Sequence, residues 1–300
     1  VIREAIESIC EVPVLGVVPR APEGALLASR HLGLVTPREH AGRDALVQSL
    51  LDRVASHLEF DRLLEIARGA PPLRLPAPVA PPAATAKDLT IGYLNDSAFS
   101  FYYPENLEAL GAAGARLEPI SALADAALPE ELDALYIGGG FPETHARGLA
   151  ENAGFLSSLR RAARAGLPVY AECGGLMLLA RTLEWRGNRY PMAGVFDLDI
   201  AVCDTPQGHG YAELVVDTPN PFFAVGTHLK GHEFHYSRVV PEGAAAATAC
   251  AVHRGTGCFA GRDAMLAGNV WAAYTHLHAL ATPEWAQGLL RAARAARVAV

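Results

Sequence analysis

The chain has 300 residues, 51% of them hydrophobic, with 25 Lys and Arg against 32 Asp and Glu for a formal charge of −7. That length and apolar content suffice for one large domain or two ordinary ones and exclude global disorder. The acidic balance argues against nucleic acid as a partner, and no apolar run reaches the roughly 18 residues of a membrane span; the best stretch, residues 167–180, contains Glu172. Five cysteines without CxxC spacing, and no signal peptide after Val1, point to a reducing, cytoplasmic setting. A start at Val rather than Met fits a processed N-terminus or a piece of a longer protein.

In chain order, residues 1–10 read as a helix and 12–18 (VPVLGVV) as a short buried strand. Apolar residues at helical spacing over 43–68 (Leu46, Leu50, Val54, Leu58) predict a long helix. One strand in about 70 residues is thin for an independent domain, so 1–69 reads as the end of a larger α/β domain. Residues 70–87 carry six prolines and read as a semi-extended linker. From 88 to 300 strands and helices alternate. Strands are expected at 89–94, 116–119, 134–137 and 167–171, with helices at 104–113, 152–165 and 176–183. This rhythm predicts an α/β fold with an open, mostly parallel sheet and helices on both faces. After Tyr190 the texture turns β-rich (195–202, 210–216, 235–240, 270–276), and 283–297 closes the chain as a helix.

The sharpest chemical feature is Tyr170-Ala171-Glu172-Cys173-Gly174-Gly175. A buried strand stops at a cysteine, and two glycines lead into a helix, the layout of a nucleophile elbow with sulfur in place of oxygen. The helix N-terminus favours a thiolate, and the Gly174 N–H can serve an oxyanion. The plainer reading is a core cysteine at a strand end. Gly138-Gly139-Gly140 follows another strand at the same sheet edge, where open α/β sheets bind ligands; taken alone, it is equally a turn. No GxxxxGK[ST] phosphate loop occurs. A thiolate nucleophile needs a base. His276 and His278 fall on a predicted strand and share a face. The group around His232 and His235 offers H-x3-H-x2-H with His228, whose spacing does not converge on one strand face, so no metal site is expected. Four aromatics at 99–103, next to Glu105 and Asn106, read equally as a flat ligand wall or a packed helix cap.

Taken together, AFSFYYPENLEALGAAGA (98–115), LYIGGGFPE (135–143), YAECGGLMLL (170–179), GHEFHYS (231–237) and AYTHLHAL (273–280) resemble the cobyrinic acid a,c-diamide synthase family. RHLGLVTPREH (30–40) resembles the end of that family's synthetase domain. The family is similar to class I glutamine amidotransferases of the cobyric acid synthase type. The resemblance implies a flavodoxin-like glutaminase domain over 88–300 with a C-terminal β-rich extension, a linker at 70–87, and a C-terminal remnant of an ATP-dependent synthetase domain at 1–69. It implies that Cys173 attacks glutamine, that His276 activates Cys173, and that Gly139, Gly140 and Gly174 hold the oxyanion. Tyr102, Tyr103, Glu105, Asn106, His232 and His235 stand as substrate-binding candidates. ATP and Mg2+ are implied for the full-length enzyme, which would amidate the a and c carboxylates of a corrinoid such as cobyrinate or hydrogenobyrinate in cobalamin biosynthesis. The glutaminase half would need no cofactor.

Two departures from the family pattern stand out. Many class I amidotransferases carry glutamate two residues after the histidine; here that place is His278, which leaves the third triad member open, with Glu172 close by in the chain. The N-terminal phosphate loop is absent, so these residues are expected to hydrolyse glutamine and to leave the corrinoid untouched without the missing N-terminal ATP-binding domain. The competing readings are a cysteine hydrolase, either peptidase or amidase, and a non-catalytic corrinoid-binding module on the same scaffold.

Overall fold

The computed structural model describes residues 1–20, 29–30, 33–36, 39–40, 42–73, 88–240 and 247–298, and divides into two compact units, Val1–Ala80 and Pro81–Val300. In the first unit, helix α1 (Ile2–Cys10) is followed by the antiparallel pair β1 (Ser29–Arg30) and β2 (Gly33–Leu34), then α2 (Arg43–Ala55) and α3 (Phe60–Gly69). The strand expected at 12–18 is not formed. Pro13 lacks an N–H to give to a ladder, and the segment makes one isolated bridge, Gly16 to Leu58. The helix expected over 43–68 is two helices. The break falls where Ser56 Oγ donates to the Asp52 carbonyl and the His57 ring bonds the Arg53 carbonyl, local bonds that compete with the helical ladder. Of the expected linker, residues 74–87 lie outside the described residues, as do residues 31–32 and 37–38 of the 30–40 motif.

The second unit opens with β3 (Leu89–Leu94), β4 (Phe99–Phe101) and α4 (Pro104–Ala112), which has proline in its first turn, where the missing N–H costs nothing. Then come β5 (Ala115–Ile120), β6 (Ala134–Ile137), β7 (Gly139–Gly140), α5 (Ala146–Glu151) and α6 (Ala153–Arg164), capped by the Asn152 side chain. Strand β8 (Val169–Glu172) runs into the short α7 (Gly174–Leu179). The helix expected to reach 183 ends at Leu179, because 182–185 pairs as a strand: β9 (Thr182–Trp185) joins β10 (Asn188–Pro191) and β11 (Asp199–Val202). The β-rich remainder is β12 (Gly208–Val216), β13 (His228–His235), β14 (Ser237–Val240), β15 (Thr248–Arg254), β16 (Arg262–Ala267), β17 (Val270–Ala273) and β18 (His276–Leu277), closed by α8 (Glu284–Val298).

One ten-stranded sheet organises this unit, in the order β18-β13-β12-β15-β16-β17-β8-β6-β3-β5. The five strands from β17 to β5 are parallel, as the alternation of strand and helix predicts. Strands β16, β15, β12, β13 and β18 continue the same sheet antiparallel from β17 outward, so it is a mixed α/β sheet, while β14 joins β11 in a smaller four-stranded sheet. Strand alternation sends side chains to opposite faces and builds two cores. Leu135, Ile137, Ala171 and Ala272 pack with Leu149, Phe155 and Leu176 from α5, α6 and α7. Tyr136, Tyr170, Trp271 and Ala273 pack with Trp285 and Leu289 of α8. Among the described residues no helix is long and apolar enough to cross a membrane.

Trp285 is fully buried and meets Tyr136 and Tyr170 edge-on, with ring centroids 5.0 and 5.6 Å away. Trp285→Ala is expected to cost about 3–5 kcal/mol of stability through the cavity it leaves, measurable by urea unfolding with an unchanged m-value.

Candidate active site

Strand β8 is buried along its whole length and ends on Glu172. Cys173 then turns the chain with φ 47° and ψ −95°, a conformation that L residues avoid and that is kept where structure over-determines it. The Cys173 N–H bonds the Ala273 carbonyl at 2.7 Å, and its own carbonyl accepts from the Met177 N–H. The elbow is therefore tied to β17 on one side and α7 on the other. Cys173 retains 8% exposure.

Two glycine segments close in on this turn. A side chain at Gly174 would sit 3.1 Å from the Gly140 nitrogen, and one at Gly175 would sit 2.6 Å from the Ile137 carbonyl oxygen. Only glycine allows the elbow backbone to approach β6 and β7 this closely. The β7 segment is itself pinned by pairing with β4, Phe99 opposite Gly140 and Phe101 opposite Gly139. Tyr102 completes the brace: its hydroxyl donates to the Leu94 carbonyl at 2.5 Å and accepts the Gly138 N–H at 2.9 Å.

The imidazole arrives from β18. The His276 ring lies beside Cys173 and its Cε1 overhangs Gly139, where a Cβ would come within 2.7 Å. On its other edge, His276 Nδ1 lies 3.4 Å from Glu172 Oε2. Burial alone would lower the imidazole pKa, but the neighbouring Cys173 and Glu172 outweigh it and raise the pKa to about 10. Cys173, His276, Gly139, Gly140 and Gly174 thus come together at the carboxyl edge of the parallel strands.

The His276 segment is held from both directions. Before it, the Asp263 carboxylate, fully buried, accepts from the Tyr274 and Thr275 N–H groups, the Thr275 hydroxyl, the Ala264 N–H and the Cys258 thiol. Burial and the neighbouring Asp263 keep that thiol protonated. Ala264 takes φ 62° within β16, backbone strain located where Asp263 turns inward. After His276, Asn106 binds the Leu277 carbonyl at 2.9 Å and the Ala279 N–H at 2.7 Å.

The six substrate-binding candidates separate into two groups. Tyr102 and Asn106 are spent on bracing, as described, and burial pushes the Tyr102 hydroxyl pKa well up. His235 is buried, stacked 3.7 Å from Tyr274, and bonded to the Ser237 carbonyl and Glu233. Asn106 and His235 face the protein and the Tyr102 hydroxyl is turned inward, while of the aromatic run only Phe99 is fully buried and Phe101 is exposed. Tyr103 and His232 lie beside His276, and Glu105 reaches His278. The His232 ring stacks on His276 at 5.0 Å and its Nδ1 bonds the Tyr103 hydroxyl at 3.0 Å. Burial first, and the His276 charge second, keep His232 below the usual imidazole range. His276 and His278, expected to share a strand face, do not: β18 ends at Leu277, and His278 pairs with Glu105 at 3.6 Å.

Asp263 and Tyr136 are not marked by the sequence, and Glu172 is marked there only by its closeness to Cys173. The available signal was a carboxylate ending a wholly apolar strand, which burial makes costly without a partner. Among the described residues no three His, Cys, Asp or Glu side chains gather as a metal site. The sequence contains no GxxxxGK[ST] phosphate loop.

Residues 90–284 match the family model of the CobB/CobQ-like glutamine amidotransferase domain. The chain is 42% identical over 297 residues to the cobyrinate a,c-diamide synthase of Magnetococcus marinus, covering 97% of this chain and 63% of that protein. It is 39% identical over 292 residues to the enzyme of the same name from Archaeoglobus fulgidus, again 97% and 63%. The chain therefore spans about 63% of the length of these relatives. A crystal structure of a glutamine amidotransferase superposes with a TM-score of 0.51 at 20% identity, covering 68% of this chain and 98% of that one, a likeness of fold.

Asp263→Ala would strand several buried donors at once and is expected to cost at least ~3 kcal/mol. The expected readout is a lower Tm, together with a slower reaction of Cys173 with iodoacetamide as the His276 segment loosens.

Proposed function

The chain belongs to the CobB/CobQ-like glutamine amidotransferase family, and from that premise we propose that residues 88–300 hydrolyse glutamine through a Cys173 thioester. The observation that carries this reading is the meeting of three elements at one sheet edge: the strained Cys173 turn, the braced Gly139-Gly140 backbone and the His276 ring.

In the proposed reaction the Cys173 thiolate adds to the side-chain amide carbon of glutamine. The oxyanion that forms is met by N–H groups of Gly139, Gly140 and Gly174, fixed before substrate arrives and so needing no reorganisation. The C–N bond breaks as the nitrogen takes the His276 proton, and ammonia leaves. Water then attacks the thioester, His276 takes its proton, the C–S bond breaks, and glutamate departs with the thiolate and imidazolium restored. The net change is glutamine plus water to glutamate plus ammonia. Tyr103 and His232, beside His276, and Glu105, which reaches His278, are proposed to meet the amino-acid end of glutamine.

By analogy with the named function of the relatives, the ammonia serves amidation of the a and c carboxylates of a corrinoid such as cobyrinate or hydrogenobyrinate. We assign residues 1–69 to the end of a synthetase domain, 70–87 to a linker and 88–300 to the glutaminase domain, a division supported by the family match at 90–284. ATP and Mg2+ belong to the amidation half, and the glutaminase chemistry runs without them. Five free cysteines accord with a cytoplasmic enzyme.

Glutamate release from glutamine is expected, falling at least ~10³-fold in Cys173→Ala and His276→Ala. Release that survives Cys173→Ala would remove the proposal, and peptide cleavage in its place would favour the hydrolase reading. Because the His276 imidazolium persists to about pH 10, the acylation rate should stay level from neutral pH and decline as pH rises through that value. The same raised pKa contributes stability that is complete below the ordinary imidazole pKa of about 6.5 and is lost as pH climbs towards 10. Thermal melts of the parent and His276→Ala should therefore converge at alkaline pH.

A further inference from the structure

Two residues after His276, where many class I amidotransferases carry an orienting glutamate, this chain has His278. That ring turns away, pairing with Glu105 at 3.6 Å and packing 4.5 Å from Tyr103. An imidazole that passes protons through one nitrogen needs the other held, or the ring presents the wrong tautomer and orientation. We propose that Glu172, the residue immediately before the nucleophile, is the positioning carboxylate of His276, steering the ring through Nδ1 from the strand that also delivers Cys173. This inference rests on the glutaminase reading.

The geometry resolves an apparent conflict, since neighbours along a strand point to opposite faces. Glu172 follows the alternation and lies on the face of Tyr136 and Tyr170. Cys173 turns the chain at a positive φ and packs with the opposite core, that of Ala171 and Ile137, so an imidazole placed at the strand end can reach both side chains. His276 is brought to the same edge because Ala273 is registered opposite Glu172 in the parallel pairing of β17 with β8. One imidazole then spans both neighbours, Nδ1 to the carboxylate and its other edge to the sulfur.

The carboxylate is itself fixed. Glu172 Oε1 accepts the Leu277 N–H at 3.1 Å, so the group that holds the ring also holds the backbone next to it. Tyr136 Oη donates to Oε2 at 3.3 Å and receives Asn106 Nδ2 at 3.3 Å. At 1% exposure, a carboxylate needs such donors and a cation, and the His276 imidazolium is the cation at hand. The titratable groups facing this pair are Cys173, His232 and the tyrosines 102, 103, 136 and 170.

The test compares Glu172→Gln, Glu172→Asp and His278→Ala in the same chain. Glutamate release is read alongside the pH profile of Cys173 alkylation by a glutamine-like diazo ketone. Glu172→Gln is expected to lower kcat by about 10²-fold or more with KM within about 3-fold. It should also move the alkaline limb of alkylation to lower pH, because the imidazolium loses its counter-charge. Glu172→Asp should recover part of the rate, and His278→Ala should keep kcat within about 2-fold of the parent, with any loss falling on KM through Glu105 and Tyr103. A Glu172→Gln variant with parental kcat and pH profile, or a His278→Ala loss of kcat as large, overturns the assignment. Should Glu172→Gln fail to fold, 15N NMR of the parent decides: a hydrogen-bonded proton on His276 Nδ1 supports the assignment and a bare Nδ1 overturns it. Absence of Cys173-dependent glutamate release in the parent would instead sink the glutaminase reading, and the NMR result would still report on Glu172.

Discussion

The parallel pairing of β17 with β8 is the constraint on which the candidate site depends. It places the Ala273 carbonyl where it receives the Cys173 N–H and sets His276 three residues further along the same crossing. A slip of one residue would reverse which side chains face each core and would carry His276 away from the elbow. Burial enforces the register: Tyr170 and Trp271, opposite each other, fill one core, and Ala171 and Ala272 fill the other.

Around that register the polar groups act mainly as braces. Tyr102 supports the glycine loop, Asn106 ties the chain after His276, and Asp263 ties the chain before it. Asn106 and Asp263 are fully buried and Tyr102 half-buried, and each satisfies backbone groups that would otherwise be costly to leave unpaired. Such bracing keeps N–H donors and an imidazole in place before any substrate arrives, and preorganisation of this kind is what stabilises developing charge. Among the aromatic residues at 99–103, Phe99 and Tyr102 serve the glycine loop in this way.

The imidazoles differ in role because their surroundings differ. His276 lies between an acid and a sulfur and is held protonated, whereas His232, stacked against it, is pressed towards neutrality by burial and by the neighbouring charge. His235 is a packing group, flat against Tyr274. Residue type alone would not separate these three.

What the sequence determined by itself is local. The strand-then-helix rhythm of 88–183 was legible because apolar runs, Pro104 and the Gly pairs are decided by near neighbours along the chain. The turn at Cys173 was legible for the same reason. The joining of most of the β-rich part to the parallel strands as one mixed sheet was not, because pairing partners lie far apart in sequence and β propensity does not name them. Nor was Glu172 beside His276: adjacency to Cys173 puts the two side chains on opposite faces, and only the placement of the His276 ring at the strand end lets one imidazole reach both. Tertiary structure alone decided which of the six polar candidates face inward. Burial is a property of the assembled sheet, and Tyr102, Asn106 and His235 carry no local mark that distinguishes them from Tyr103, Glu105 and His232.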